Sequence, residues 1–167
     1  MRFFLRTLFV FLGALISLAA CGFEPLHRVS EQGSAVQSLA AIRIEPIADR
    51  SGQVLRNYLL DRITPRGAPS RPEYVLRIRL QEPRQTLALR RDDVISRVSY
   101  SATAFFELID ASGRQVFGGN SSYSTDYEVT TSEFATMISA QNARDRVLEL
   151  VGDDIRTQLA AYFRRPQ

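Results

Sequence analysis

One cysteine, Cys21, is all the thiol this chain has, and His27 is its one histidine. A domain built from it has no internal disulfide to restrict its unfolded state and no ordinary nitrogen–sulfur zinc set. Whatever folds here is held by packing alone. The place of Cys21 is equally informative. Met1 to Arg6 carries two charges, Arg2 and Arg6, and Thr7 to Leu18 is an almost unbroken apolar run, followed by Ala19 and Ala20 directly before the cysteine. A basic start, a short apolar core and small residues at the cut make up a secretory signal peptide. The run is about 12 residues, against the ~20 needed to span a bilayer as a helix. Removal of residues 1–20 leaves 147, enough for one domain with a substantial core.

The ending Leu18-Ala19-Ala20-Cys21 resembles the bacterial lipobox. That resemblance implies that a diacylglycerol alkylates the Cys21 thiol, that the chain is cut before it, and that the new amine receives an acyl chain such as palmitate. No other cofactor is expected. Gly22, where an aspartate would retain the protein at the inner membrane, implies an outer-membrane address facing the periplasm. The alternative is an ordinary secreted protein with a chance cysteine. Lysine is absent, and all 21 basic residues are arginines. Without Arg2 and Arg6 the processed chain carries 19 arginines against 18 acids and is nearly neutral. The whole-chain pI of about 9.4 is therefore no argument for nucleic acid.

Residues 28–40 are small and polar without a sustained period, which reads as a tether. Ile42, Ile44 and Ile47 then predict a short strand, closed by Pro46 and the Asp49–Gly52 turn. Val54, Leu55, Tyr58, Leu59 and Ile63 recur at helical spacing, with Asp49 or Ser51 as cap and Pro65 and Gly67 as stop. Over 73–80, Tyr74, Leu76, Ile78 and Leu80 alternate with Val75, Arg77 and Arg79. Over 97–109, Val98, Tyr100, Ala102, Ala104, Phe106 and Leu108 alternate with polar residues. Both are half-buried strands. Asp110-Ala111-Ser112-Gly113 is a hairpin turn into a weaker strand over 114–127, with a bulge or bend expected at Gly118-Gly119. A final helix over about 131–163 carries Ala143, Val147, Val151, Ile155, Leu159 and Phe163 on one stripe, with Thr130 and Glu133 as a capping box and Gly152 as a weak point. The order is β-α-β-β-β-α. It predicts an α+β two-layer sandwich, a four-stranded mixed sheet with two helices packed on one face and a polar opposite face.

The chemistry available is thin. His27 lies in the tether, lysine and a second cysteine are missing, and there is no glycine-rich phosphate loop. The carboxylate pairs Asp92-Asp93 and Asp153-Asp154 read as a loop and a solvated helix face rather than as an acid–base couple. The remaining signal is arginine: Arg71, Arg77, Arg79, Arg84, Arg90, Arg91 and Arg97 fall within 71–97. Guanidinium groups bind phosphate in bidentate fashion, which makes Arg77, Arg79, Arg90, Arg91 and Arg97 candidate contacts for an anionic lipid or a partner. A solvated face in an arginine-biased composition accounts for them equally.

The start CGFEPLH resembles the Cys-Gly-Phe-x-Pro-Leu-Tyr opening of the lipopolysaccharide-assembly lipoproteins of the LptE family, in particular their alphaproteobacterial branch, with His27 in place of tyrosine. IEPIADRSGQVLRNYLLDR over Ile44–Arg62 resembles that family's strand and helix. Ser122-Tyr123 and the ending Leu159-Ala160-Ala161-Tyr162-Phe163 also fit. The resemblance implies a non-enzymatic plug inside a large outer-membrane β-barrel, LptD, with lipopolysaccharide as the second partner. It divides the chain into a signal peptide (1–20), a lipidated N-terminus with flexible tether (21–40) and a globular domain (41–167). An auxiliary lipoprotein of a phospholipid-trafficking ABC or MCE-type system is the alternative; it shares the helix-on-sheet plan but not the CGFxPL start.

Overall fold

A computed structural model describes residues 32–83 and 96–164. In chain order the elements are α1 (Gln32–Ala40), β1 (Ile42–Ile44), α2 (Asp49–Ile63), β2 (Tyr74–Gln81), β3 (Ser96–Asp110), β4 (Gln115–Val129) and α3 (Glu133–Phe163). The sheet runs β1-β2-β3-β4, with β1 parallel to β2 and the other pairs antiparallel. The predicted order β-α-β-β-β-α and the α+β two-layer sandwich are what the chain adopts.

Period-two alternation sets the core. Ile42 and Ile44 of β1, Leu76 and Ile78 of β2, and Ala102, Ala104, Phe106 and Leu108 of β3 are buried on one sheet face. Against them lie Leu55, Leu59 and Ile63 of α2 and Val147, Leu148, Val151, Ile155 and Leu159 of α3. At about 25 cal/mol per Å² of apolar area removed from water, this one layer supplies the main drive to fold.

Five local readings change. Part of the polar stretch read as tether is helical: α1 sends Ala35 and Leu39 inward, and Leu39 joins the core. Two apolar residues four apart suffice for one turn of contact, too short a stripe to register as periodicity. The cap of α2 is Ala48, which offers no side-chain bond; Asp49 and Ser51 lie inside the helix. The cap of α3 is Ser132, whose hydroxyl accepts from the Ala135 N–H at 3.3 Å, while Thr130 bonds Thr136 instead of forming a box with Glu133. The irregularity in the hairpin falls at Val116 rather than at Gly118-Gly119, since Leu108 pairs Phe117 but Ile109 pairs Gln115. Gly119 serves packing: a Cβ there would stand 2.9 Å from Cζ of Phe106, whose ring fills the space. Gly152 likewise is a crossing point and no defect, because a Cβ would meet Tyr58 at 2.6 Å.

Candidate functional site

The sheet face opposite the helices is where the arginine pattern leads. Alternation turns Arg77 and Arg79 of β2 outward, and both are exposed. Glu45 follows Ile44, the partner of Leu76, and so stands beside Arg77; the Arg77 Nε donates to Glu45 Oε2 at 3.1 Å. Arg79 is paired in register with Phe105, and its guanidinium carbon sits 5.9 Å from that ring's centroid. Phe105 is 39% exposed, a large ring on an otherwise polar face. Thr103 and Ser122 share a hydroxyl hydrogen bond of 2.8 Å beside it. A solvated ion pair of the Arg77–Glu45 kind contributes only about 0–1 kcal/mol to stability, so these guanidinium groups are free to engage an anion instead.

Arg97 lies on β3 opposite Glu128, six residues beyond the Thr103 that pairs with the end of β2, and so stands apart from the Arg77–Arg79 pair. Cys21, Arg90 and Arg91 lie outside the described residues. Phe105 is the member of this face that sequence reasoning missed; its signal was a second phenylalanine at a polar-phase position beside Phe106.

A groove of about 580 Å³ runs between α2 and α3, lined among others by Arg50, Val54, Tyr58, Met137, Arg144 and Glu149. The two helices come together at Gly152, where a Cβ would meet the Tyr58 ring. Burial first, then the Asp153 carboxylate, push the Tyr58 hydroxyl pKa up. Arg62 approaches the same carboxylate at 3.7 Å. Asp154 accepts from Gln158 at 2.9 Å. Asp153 is thus engaged between α3 and α2, and Asp154 within α3 itself. Nearby, Tyr100 donates to Glu82 at 2.8 Å, with the Arg144 guanidinium 5.8 Å from its ring centroid. Burial and the Glu82 bond raise the Tyr100 pKa, so this phenol stays protonated and acts as a donor. Sequence reasoning placed Tyr100 inward but could not pair it, because Tyr100 lies on β3, Glu82 just past the end of β2 and Arg144 on α3. Among the described residues no group of three or more histidines, cysteines and acids could hold a metal ion. No described helix is long and apolar enough to cross a membrane.

The chain therefore has a helix-on-sheet α+β architecture, with one polar sheet face and an arginine-bearing strand. A family profile described as "LptE: Lipopolysaccharide-assembly" matches residues 39–164, and the chain is a member of that lipopolysaccharide-assembly lipoprotein family. Three solved structures share the fold. A candidate lipoprotein from Caulobacter crescentus CB15 aligns with TM-score 0.64 at 21% identity, over 79% of this chain and 97% of that one. A minor lipoprotein from Acinetobacter baumannii aligns with TM-score 0.56 at 19% identity, over 72% and 92%. The rare lipoprotein B from Shewanella oneidensis aligns with TM-score 0.52 at 14% identity, over 72% and 94%. The Caulobacter neighbour fits the alphaproteobacterial branch. No curated protein matches the chain.

Proposed function

We propose that this protein is a lipid-anchored plug for an outer-membrane β-barrel of the LptD type, and that it supports the assembly of lipopolysaccharide at the cell surface without catalytic turnover. The family match over 39–164 carries this reading. Residues 1–20 direct export. Cys21 carries a diacylglycerol and an N-acyl chain, because a single chain binds membranes only marginally and several make anchoring durable. The domain then sits at the periplasmic face of the outer membrane.

The polar sheet face is its contact surface. Arg77, Arg79 and Arg97, with Arg90 and Arg91 of the following segment, meet lipid phosphates or the barrel wall. In a confined, poorly screened lumen, guanidinium groups on a rigid strand hold phosphate more firmly than in bulk water. Phe105 offers an apolar surface beside them.

Replacing Arg77, Arg79, Arg90 and Arg91 together with glutamine is the test. Lipopolysaccharide binding should weaken more than about tenfold, since one hydrogen bond to a charged group contributes about 1.5–3 kcal/mol. The circular dichroism spectrum should not change. Binding that survives at full strength would show that the sheet face is not the contact surface.

A further inference from the structure

The two edges of the sheet are built differently. β1 is three residues long. Its Glu45 N–H donates to the Leu76 carbonyl at 3.0 Å, so the intervening Ile44 carbonyl points away from β2. Arg56 Nη2 donates to that carbonyl at 3.4 Å. The β1 edge is therefore short and stoppered.

β4 is 15 residues long. The hairpin closes with the Asp110 N–H donating to the Arg114 carbonyl at 2.9 Å. Counting the ladder past the bulge at Val116 turns the backbone groups of residues 117, 119, 121, 123, 125 and 127 toward β3, and those of the even residues 118–128 outward. Gln158 Nε2 donates to the Asn120 carbonyl at 3.2 Å, as this direction requires. That is the one bond recorded to this rim among the described residues. Natural proteins blunt long edges with lysine, proline, inward charges or a covering element. Residues 115–129 contain no lysine and no proline, and no charge from Gln115 to Thr125.

We propose that the outer edge of β4 accepts an extended segment of the barrel partner as a fifth strand; this rests on the plug reading above. The chemistry of the rim describes that segment. Beside Phe117–Thr125 it is uncharged, because no side chain there could pair a buried charge. Toward the hairpin's open end it carries a basic residue. Asp126 faces the uncharged Ser99 directly across the ladder, whereas Glu128 faces Arg97. Affinity comes from main-chain hydrogen bonds, and these flanking side chains set the register. A second copy of this chain fits less well. α3 packs over β4, with Tyr162 stacked on Phe117 at 4.9 Å and Gln158 reaching across the rim, so two β4 edges closing along their length would bring two α3 helices together.

The test uses full-length protein co-expressed with its barrel partner. Ser122→Pro and Ser124→Pro each remove an outward N–H and spare the β3 ladder, so the fold survives. Tyr123→Pro removes a ladder bond and serves as the destabilised control. The two serine variants should retain less than about a tenth of the co-purified barrel, while their spectra and melting stay close to wild type. On wild-type protein, the amides of Asn120, Ser122, Ser124 and Asp126 should exchange at least about 100-fold more slowly in the complex than free. This second measurement depends on no variant folding. Undiminished barrel recovery with both prolines, amides no slower in the complex, or protection that instead accompanies dimerisation of this chain would each overturn the inference. Wild-type protein that brings down no barrel defeats the plug reading and the edge with it; a barrel recovered without edge protection defeats the edge alone.

Discussion

The β3–β4 hairpin passes through two different environments. Where β3 pairs with β2, from Thr103 to Asp110, its inward residues lie under α2 and α3, and Phe106 and Leu108 are almost wholly buried. Beyond Gln81 the hairpin runs on as a two-stranded ribbon of residues 96–102 and 123–129, flanked by the first ten residues of α3. Here α3 buries nothing before Ala143; Phe134 is 70% and Met137 55% exposed. One alternating pattern thus serves two ends. Covered by two helices it makes a core, and covered by half of one it makes a surface. The body supplies stability, and the ribbon end stays largely exposed.

That division is open to attack by substitution. Val151, fully buried in the body, should be the most sensitive position. Val151→Asp buries an unpaired carboxylate at a cost of several kcal/mol, a large share of the roughly 5–15 kcal/mol that holds a domain together, and should leave the protein unfolded by circular dichroism at 25 °C. Met137→Asp, on the same helix in the other half, should melt within about 0.5 kcal/mol of wild type. Equal loss from both would erase the distinction.

Gly152 gives a finer test of the body. Helix propensity alone rates a larger residue as a gain of up to ~1 kcal/mol. The Tyr58 ring occupies the space a Cβ would need, so Gly152→Val should instead lose about 1–3 kcal/mol by overpacking, measured by urea denaturation.

The smallest effect belongs to the turn at the closed end. The Ser112 hydroxyl, the Arg114 backbone N–H and the Arg114 guanidinium hold Asp110 at a pKa of about 2, below its ordinary 3.8. A lowered folded-state pKa contributes stability above pH 4 that is lost as the pH falls toward 2. Asp110→Asn should therefore lower stability at pH 6 and flatten its decline between pH 4 and 2. An unchanged acid limb would show that the turn contributes nothing to it.

The strands and the two long helices could be read from spacing because burial on one face imposes a period, and the residues obey it: Leu76 and Ile78 against Arg77 and Arg79, Val147, Val151 and Ile155 at every fourth position. What spacing could not give were features set by contacts between elements. Gly119 is glycine because of Phe106, Gly152 because of Tyr58, and Leu39 is buried only because α3 is there to meet it. The candidate site divides in the same way. Alternation put Arg77 and Arg79 on one exposed face, but their neighbours Glu45 and Phe105 emerge only once three strands are laid side by side, and Arg97 proves to belong to the other end of the hairpin.

On the proposed function, this domain works by occupying a barrel. Affinity purification of the full-length protein from native membranes in mild detergent tests it most directly. A plug should bring down an outer-membrane β-barrel of the LptD type in near-equal amount, with lipopolysaccharide bound. Recovery of an ABC or MCE-type transporter in its place, or of no partner at all, would contradict it.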